Sequence, residues 1–330
     1  MTDGNQIDQM QATLAALEQT KCRIQELYSE QRTKATGDDA KARDTTLYEA
    51  ATPWSAWFPD AAADFGLPHT YRDVSRLRDA KIVREQIYGA SLEVFKSLSS
   101  LDALLLKFLV LRRLDCETAA TRFLAFRQLV IEHDLVWTCD HDDVQAGLKT
   151  NAFHFVPVME PQAHRPVVAI FPRLLDYKTV DVKQVKRAWF YGMMTAATWT
   201  PTAQTAGIII LNSLKDVGMA NMHSEFRSFL SQAINHAMPV RITRAFLSNE
   251  PFIFGSVLWP MFKYAMSEKI RSRMVVTGND YKQILAELPP RCVPEEMGGE
   301  RPLDEAELAR LMKLYKFAPL PGQAFVAAAA

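Results

Sequence analysis

The chain lacks the signatures that would mark an enzyme. It has no GxSxG elbow: Gly255-Ser256 lies in an apolar run and has no second glycine, so the strained nucleophile turn is excluded. It has neither GxGxxG nor a Walker A loop, which excludes a backbone cradle for a dinucleotide or a nucleotide phosphate. The seven histidines show no HExxH or paired spacing. The run Cys139-Asp140-His141-Asp142-Asp143 holds metal-ligand types, but they are adjacent rather than spaced around one ion. It reads as a solvated loop ending in a helix N-cap. No catalytic residue, metal or cofactor is therefore expected.

An excess of charge of one sign is also missing. Lys+Arg and Asp+Glu are 38 each in 330 residues, so no general attraction draws this chain to nucleic acid, and any basic site must be local. The four cysteines, Cys22, Cys116, Cys139 and Cys292, are widely spaced and form no CxxC pair, which favours a reducing compartment. Asp3 and Asp8 interrupt the N-terminal residues, so no signal peptide is expected. No run is long and uncharged enough to span a bilayer. A cytoplasmic protein is the expectation.

What the chain does have is an apolar segment from Phe252 to Met266 with Lys263 as its one charge. A surface helix shows one apolar stripe; this segment, read as a helix, is apolar nearly all round. It must be buried on two sides or move between two apolar environments. Pro260 should kink it. The basic cluster Lys269-Ile270-Arg271-Ser272-Arg273 follows directly. Lys269 and Arg273 at i, i+4 would share a helix face, about 6 Å apart. Two such cations repel unless an anion sits between them, and a phosphate suits the arginine fork. A solvated helix end, with Arg273 complementing the dipole, is the alternative.

Four parts follow one another. Residues 1–70 form an N-terminal extension, 71–145 a helical region, 146–300 an α/β domain, and 301–330 a last helix, from about Asp304 to Tyr315, with an alanine-rich tail. Within residues 5–30, Ile7, Met10, Leu14, Leu17, Ile24 and Tyr28 fall at coiled-coil spacing with Lys21 breaking the seam. That helix either packs on its own domain or forms a homodimer seam. Trp54, Trp57, Phe58 and Phe65 suggest an aromatic tether or a membrane-interface segment. Asp102 is a candidate N-cap for the run from Leu104 to Leu109. Beyond residue 153, the runs 167–171, 206–211, 242–247 and 274–276 are short and continuously apolar. They are separated by helical stretches at about 182–198, 222–238 and 252–272. That alternation predicts an α/β fold, a parallel sheet covered on both faces.

The segment from Pro239 to Pro251 (PVRITRAFLSNEP) is similar to the CRAL-TRIO lipid-binding family, within it to the tocopherol-transfer, retinaldehyde-binding and clavesin branch. The resemblance continues through Lys269, Ile270 and Arg273 into Gly278-Asn279-Asp280-Tyr281-Lys282, and ends at Leu288-Pro289, Pro294-Glu295 and Gly298-Gly299. Residues 102–124 look like the family's helical N-terminal region. The resemblance implies an all-helical lobe, then a mainly parallel sheet with covering helices and a lid helix over an apolar cavity. Phe252–Met266 falls at the lid. Basic residues that meet phosphoinositide phosphates in that branch fall on Arg241, Lys269 and Arg273, while a fourth falls on Thr243. Arg244 points to the opposite face by strand alternation. The family's aspartate at the end of its second strand is Asn212 here.

The expected cavity lining is Trp189, Phe190 and Met193 from one helix, Ile209 and Phe246 from the sheet, and Phe254, Leu258 and Phe262 from the lid. The implied function is a lipid-binding or lipid-transfer protein that carries a hydrophobic small molecule or phospholipid and docks reversibly on phosphoinositide membranes. A phosphoinositide-responsive adaptor that recruits or dimerises through residues 1–70 is the alternative reading.

Overall fold

The computed structural model describes residues 3–34, 100–112, 115–135, 139, 141–159, 165–199, 203, 207–250 and 268–316. The chain divides into two units. One gathers the described residues up to Leu135 together with 232–239; the other holds the rest up to Lys316. The aromatic segment 51–68 and the lid segment Phe252–Met266 lie outside the described residues.

The first unit is helical: α1 (Asp3–Lys34), α2 (Ser100–Leu111) and α3 (Cys116–Glu132). Its core forms where α2 meets α3. Phe108 sits edge-on to Phe123 and Phe126, each at 5.4 Å between ring centroids. Asp102 lies inside α2 rather than at its cap. Asp115 caps α3 instead: its carboxylate accepts from the Thr118 amide at 3.1 Å and the Thr118 hydroxyl at 2.7 Å. Those bonds, the side-chain one foremost, hold Asp115 below the usual carboxylate range. On α1, Leu17, Thr20 and Ile24 are buried, and α1 packs against α3. Arg23 reaches across to Glu117 at 3.1 Å. The middle of the expected seam is therefore occupied inside its own unit. Arg122 closes the end of the 232–239 segment, donating to the carbonyls of Ile234, Asn235 and Met238.

The second unit is built on a five-stranded sheet in the order β1-β2-β3-β4-β5. The strands are β1 (Phe153–Met159), β2 (Pro166–Ile170), β3 (Ile208–Ser213), β4 (Ile242–Ser248) and β5 (Met274–Gly278). β1 is antiparallel to β2, and the other three pairings are parallel. β1 has no counterpart in the sequence expectation. Pro157 lies within it, where the register shifts, and proline is tolerated only on an edge strand. The expected helix over 222–238 is two elements, an α-helix at Ser224–Gln232 and a π turn at Ala233–Ala237.

Strand register sorts the side chains onto two faces. Val167, Ala169, Ile209, Leu211 and Phe246 pack in one cluster with Ile284, Leu288, Cys292, Val293 and Met297 of the C-terminal segment. Phe153 and Phe155 of β1 point the other way, since His154 between them packs edge-on against Phe171 of that cluster. This second face carries α5 (Val182–Trp199) and α6 (Ser224–Gln232), numbered after α4 (Asp142–Lys149). Gly192 of α5 lies flat on Phe155, with no room for a Cβ. Trp189 meets Phe229 of α6 at 5.6 Å, and Phe226 faces Phe153 at 6.5 Å. Residues 185–194 of α5 are buried without a break.

α4 docks on α5 through Gly147, whose backbone touches Ala188 and Gln184, and through an ion pair between Asp143 and Arg187. His141 is the cap of α4, accepting at Nδ1 from the Asp143 amide at 3.2 Å. That agrees with the expected helix cap; among the described residues no cluster of metal-ligating side chains occurs. Among the described residues, three further helices belong to the unit: α7 (Glu268–Arg271), α8 (Lys282–Glu287) and α9 (Glu305–Lys316). Among the described residues no helix is long and apolar enough to cross a membrane.

Candidate functional site

The two ends of the parallel sheet carry different chemistry. At the amino end, Arg241 directly precedes β4 and Arg273 directly precedes β5, with α7 between the strands. Arg241 is exposed, and its carbonyl accepts from Ile208 N at 2.8 Å. Arg273 is half-buried and donates from Nη1 to the Ile242 carbonyl at 2.8 Å. Burial first, and the charge of Arg241 second, hold the Arg273 guanidinium below its ordinary range. The structure therefore brings these two cations into one field.

Lys269 lies on α7, and its side chain is outside the described part. The shared helix face expected for Lys269 and Arg273 is corrected by the structure. α7 stops at Arg271, so Arg273 sits in the turn into β5. Thr243 turns its hydroxyl inward to the Ile208 carbonyl at 3.1 Å. Arg244 faces the C-terminal side, paired with Glu287 at 3.2 Å, as strand alternation requires.

At the carboxyl end, the loops after β3, β4 and β5 enclose an open cleft of about 600 Å³, lined by Lys215, Asp216, Asn249, Asn279, Tyr281 and Glu296. Asn249 has a φ of 55°, a left-handed conformation that asparagine tolerates better than most residues. Its amide donates to the Ser213 hydroxyl and the Glu296 carbonyl, each at 3.1 Å, and its oxygen accepts from the Tyr281 hydroxyl. Glu296 in turn takes a two-pronged bond from Arg173, at 2.8 and 2.5 Å. Gly298, with φ of 80°, packs against the Tyr281 ring too closely for a side chain. Asn249 and Tyr281, from the segments that carry the resemblance, thus meet here with Glu296 in a largely self-satisfied polar network, with Asn279 on the cleft wall.

Beside that network some polar atoms stay unmatched. Among the described residues, Asn212 Oδ1, Glu250 Oε2, Tyr177 Oη and His223 Nδ1 are buried atoms that no hydrogen bond meets. Each such atom costs about 1–3 kcal/mol when nothing meets it. Tyr177 and His223 are neighbours, with ring centroids 5.0 Å apart. Burial raises the Tyr177 phenol well above its ordinary value, so it stays protonated.

The expected cavity residues fall on two sides of the sheet. Trp189, Phe190 and Met193 are buried on α5, on the second face. Ile209 and Phe246 are buried on the first face, in the cluster under the C-terminal segment. The structure does not bring those two groups together. Phe254, Leu258 and Phe262 lie outside the described residues. The sequence reading missed Tyr177 and His223 because neither belongs to a motif and they lie on different loops.

A mixed sheet with crossover helices on one face and a C-terminal segment on the other defines an α/β domain with its loops gathered at the carboxyl end. Residues 154–299, from the second residue of β1 to the turn beyond α8, match the CRAL/TRIO domain. It is 26% identical to the Alpha-tocopherol transfer protein-like protein of Homo sapiens over 233 residues, covering 68% of this chain and 65% of that protein. It is 22% identical to Clavesin-1 of Rattus norvegicus over 240 residues, 70% of this chain and 64% of that protein. A third relative, Tyrosine-protein phosphatase non-receptor type 9 of Homo sapiens, is 20% identical over 61% of this chain but only 33% of its own length. The chain thus spans just under two thirds of the first relatives it matches. The crystal structure of Sfh5 superposes with a TM-score of 0.44 at 13% identity, over 86% of this chain and 88% of that one.

Proposed function

We propose that this chain is a lipid-binding or lipid-transfer protein that carries one hydrophobic molecule and performs no covalent chemistry. The observation that carries the reading is the CRAL/TRIO match over residues 154–299, shared with relatives one of which is named for transfer of tocopherol. Each buried CH₂ of a ligand contributes roughly 0.8 kcal/mol, so one acyl or isoprenoid chain is held firmly without polar contacts. The buried, aromatic-rich layer of Trp189, Phe190 and Met193 is the wall this reading uses. Phe254, Leu258 and Phe262 are its proposed lid. Ile209 and Phe246 back the sheet from the other face rather than touch the ligand.

At the membrane, Arg241, Lys269 and Arg273 receive an anionic phosphoinositide headgroup. The support is the mutual field of Arg241 and Arg273, whose repulsion a phosphate between them would relieve. The protein then works in the cytoplasm and visits membranes reversibly. The adaptor reading through residues 1–70 gains nothing from α1, because Leu17 and Ile24 of the seam are buried inside their own unit.

Native mass spectrometry of the purified chain, followed by lipid extraction, tests the carrier reading. A single bound hydrophobic species is expected, and a chain that carries none after expression and after incubation with mixed lipids would refute it. Liposomes with and without phosphoinositide test the mouth. Loss of phosphoinositide-dependent binding in Lys269→Ala plus Arg273→Ala supports it, and unchanged binding removes it.

A further inference from the structure

Beside the amino-end cations lies a serine, Ser272, that the headgroup reading leaves unused. α7 stops at Arg271, so Ser272 and Arg273 form the turn into β5. Ser272 is exposed, whereas the arginines on either side of it are half-buried. Its amide donates to the Glu268 carbonyl at 2.9 Å, and its carbonyl accepts from Arg244 Nη1 at 3.4 Å. The backbone of the serine is thus pinned between α7 and β4.

The charge around it is one-sided. Residues 268–273 hold Lys269, Arg271 and Arg273 against the single carboxylate of Glu268. Arg241 lies in the field of Arg273, and Glu287 of α8 is already paired with Arg244 at 3.2 Å.

This pattern suits a hydroxyl that is to be phosphorylated. Lys269 and Arg271 stand three and one residues before Ser272, and cations so placed match the acidic substrate groove of a basophilic serine kinase. A kinase also needs the acceptor segment to open into an extended strand. α7 is a single turn of four residues, far below the roughly 12 at which an isolated helix becomes stable, so opening it costs little.

The product suits the basic edge as well. A phosphoserine carries about −1.5 to −2 charge at pH 7 and three acceptor oxygens. Fixed in this turn, it offers the neighbouring guanidinium groups what an outside phosphate would offer them. An anion held within the chain outcompetes a headgroup that must arrive from elsewhere.

We propose that Ser272 is a phosphorylation site whose phosphate occupies the basic edge and switches off docking on phosphoinositide membranes. This rests on the headgroup reading of Arg241, Lys269 and Arg273 and adds its regulation. The step is a γ-phosphoryl transfer from ATP, catalysed by a basophilic serine kinase. The bond from Ser272 Oγ to the γ-phosphorus forms, and the bond from that phosphorus to the β–γ bridging oxygen breaks. ADP leaves with the electron pair, and the hydroxyl proton passes to the base of the kinase.

The test uses the full chain, ATP labelled in its γ-phosphate and a panel of basophilic serine kinases, with the modified residue located by tandem mass spectrometry. Label on Ser272 is expected in wild type and its loss in Ser272→Ala. A wild type that takes no label at Ser272 overturns the proposal. The phosphorylated and unmodified chains are then compared by cosedimentation with liposomes that contain or lack phosphoinositide. Phosphorylation should weaken phosphoinositide-dependent binding about tenfold. Ser272→Glu should weaken it about threefold, because a carboxylate carries less charge, and Ser272→Ala should bind as wild type before and after kinase treatment. Equal binding by the phosphorylated and unmodified chains overturns the switch and leaves the headgroup reading standing. An unmodified chain whose binding does not depend on phosphoinositide overturns both. Thermal unfolding separates occupation of the edge from damage to it. The phosphorylated chain should match or exceed the unmodified one in Tm, because the phosphate relieves the repulsion between Arg241 and Arg273. A fall of more than about 3 °C would mean that binding was lost through unfolding, and would overturn the proposal.

Discussion

At the amino end of the parallel sheet, Arg241 and Arg273 share one electrostatic field, while at the carboxyl end Asn249, Tyr281, Ser213 and Glu296 bond one another. The first arrangement stores repulsion that an outside anion would relieve. The second satisfies itself, apart from a few unmatched atoms close by. One sheet thus separates a charged edge, proposed to bind an outside anion, from a polar edge whose groups mostly bond one another.

The contrast breaks most sharply at Asn249. Asn249→Ala leaves Tyr281, Ser213 and the Glu296 carbonyl without their partner, and should cost about 3 kcal/mol in urea unfolding. A loss below about 1 kcal/mol would mean that the carboxyl network is incidental. The charged edge should behave the opposite way. Lys269→Ala with Arg273→Ala is expected to lower affinity for phosphoinositide liposomes roughly tenfold, or about 1.4 kcal/mol, as judged by cosedimentation. Unfolding of the same variant checks how much of that is Arg273 closing the start of β4, where about 1 kcal/mol is expected.

Arg241→Ala is a smaller probe of the same edge. It removes one of the edge's cations and should weaken binding to phosphoinositide liposomes by about threefold, less than the double change, as judged by cosedimentation. Unchanged binding would take Arg241 out of the headgroup site. The smallest effect is one of pH. Burial first, with Glu296 adding to it, raises the Tyr281 phenol above its ordinary 10.0. The unfolded tyrosine ionises before the folded one, so this contribution is complete below pH 10 and is lost as pH rises through the folded value. Tyr281→Phe should therefore flatten the alkaline fall of Tm, and an unchanged slope would contradict the sign.

Much of the sheet was legible. The runs at 167–171, 242–247 and 274–276 became β2, β4 and β5 with shifts of one or two residues, because continuous apolar residues between helices have few other uses. β1 escaped because Pro157 breaks the strand pattern, and only its place at the edge makes proline acceptable. The reading of two-sided apolarity as the mark of a lid also needs qualifying. α5 is buried along residues 185–194, yet this comes from packing between α4, α6 and the sheet.

The site was less legible than the fold. Lys269 and Arg273 were readable as a local basic pair by spacing, and Arg241 only through the resemblance, but the end of α7 at Arg271 was not readable, and it removes the helix face that Lys269 and Arg273 were to share. Ile209 and Phe246 were readable as buried but not as belonging to the far face. Tyr177 and His223 carried no signal in either loop alone.

The sequence by itself determined the class of the elements, the local nature of the charge, and the apolar character of the core. These follow from periodicity and composition, which are properties of neighbouring residues. Only the tertiary structure decided which face each strand residue takes, which cations meet, and which polar atoms are left without partners. Faces depend on register between strands, and hydrogen bonds join residues distant in sequence, so neither is written in any single segment of the chain.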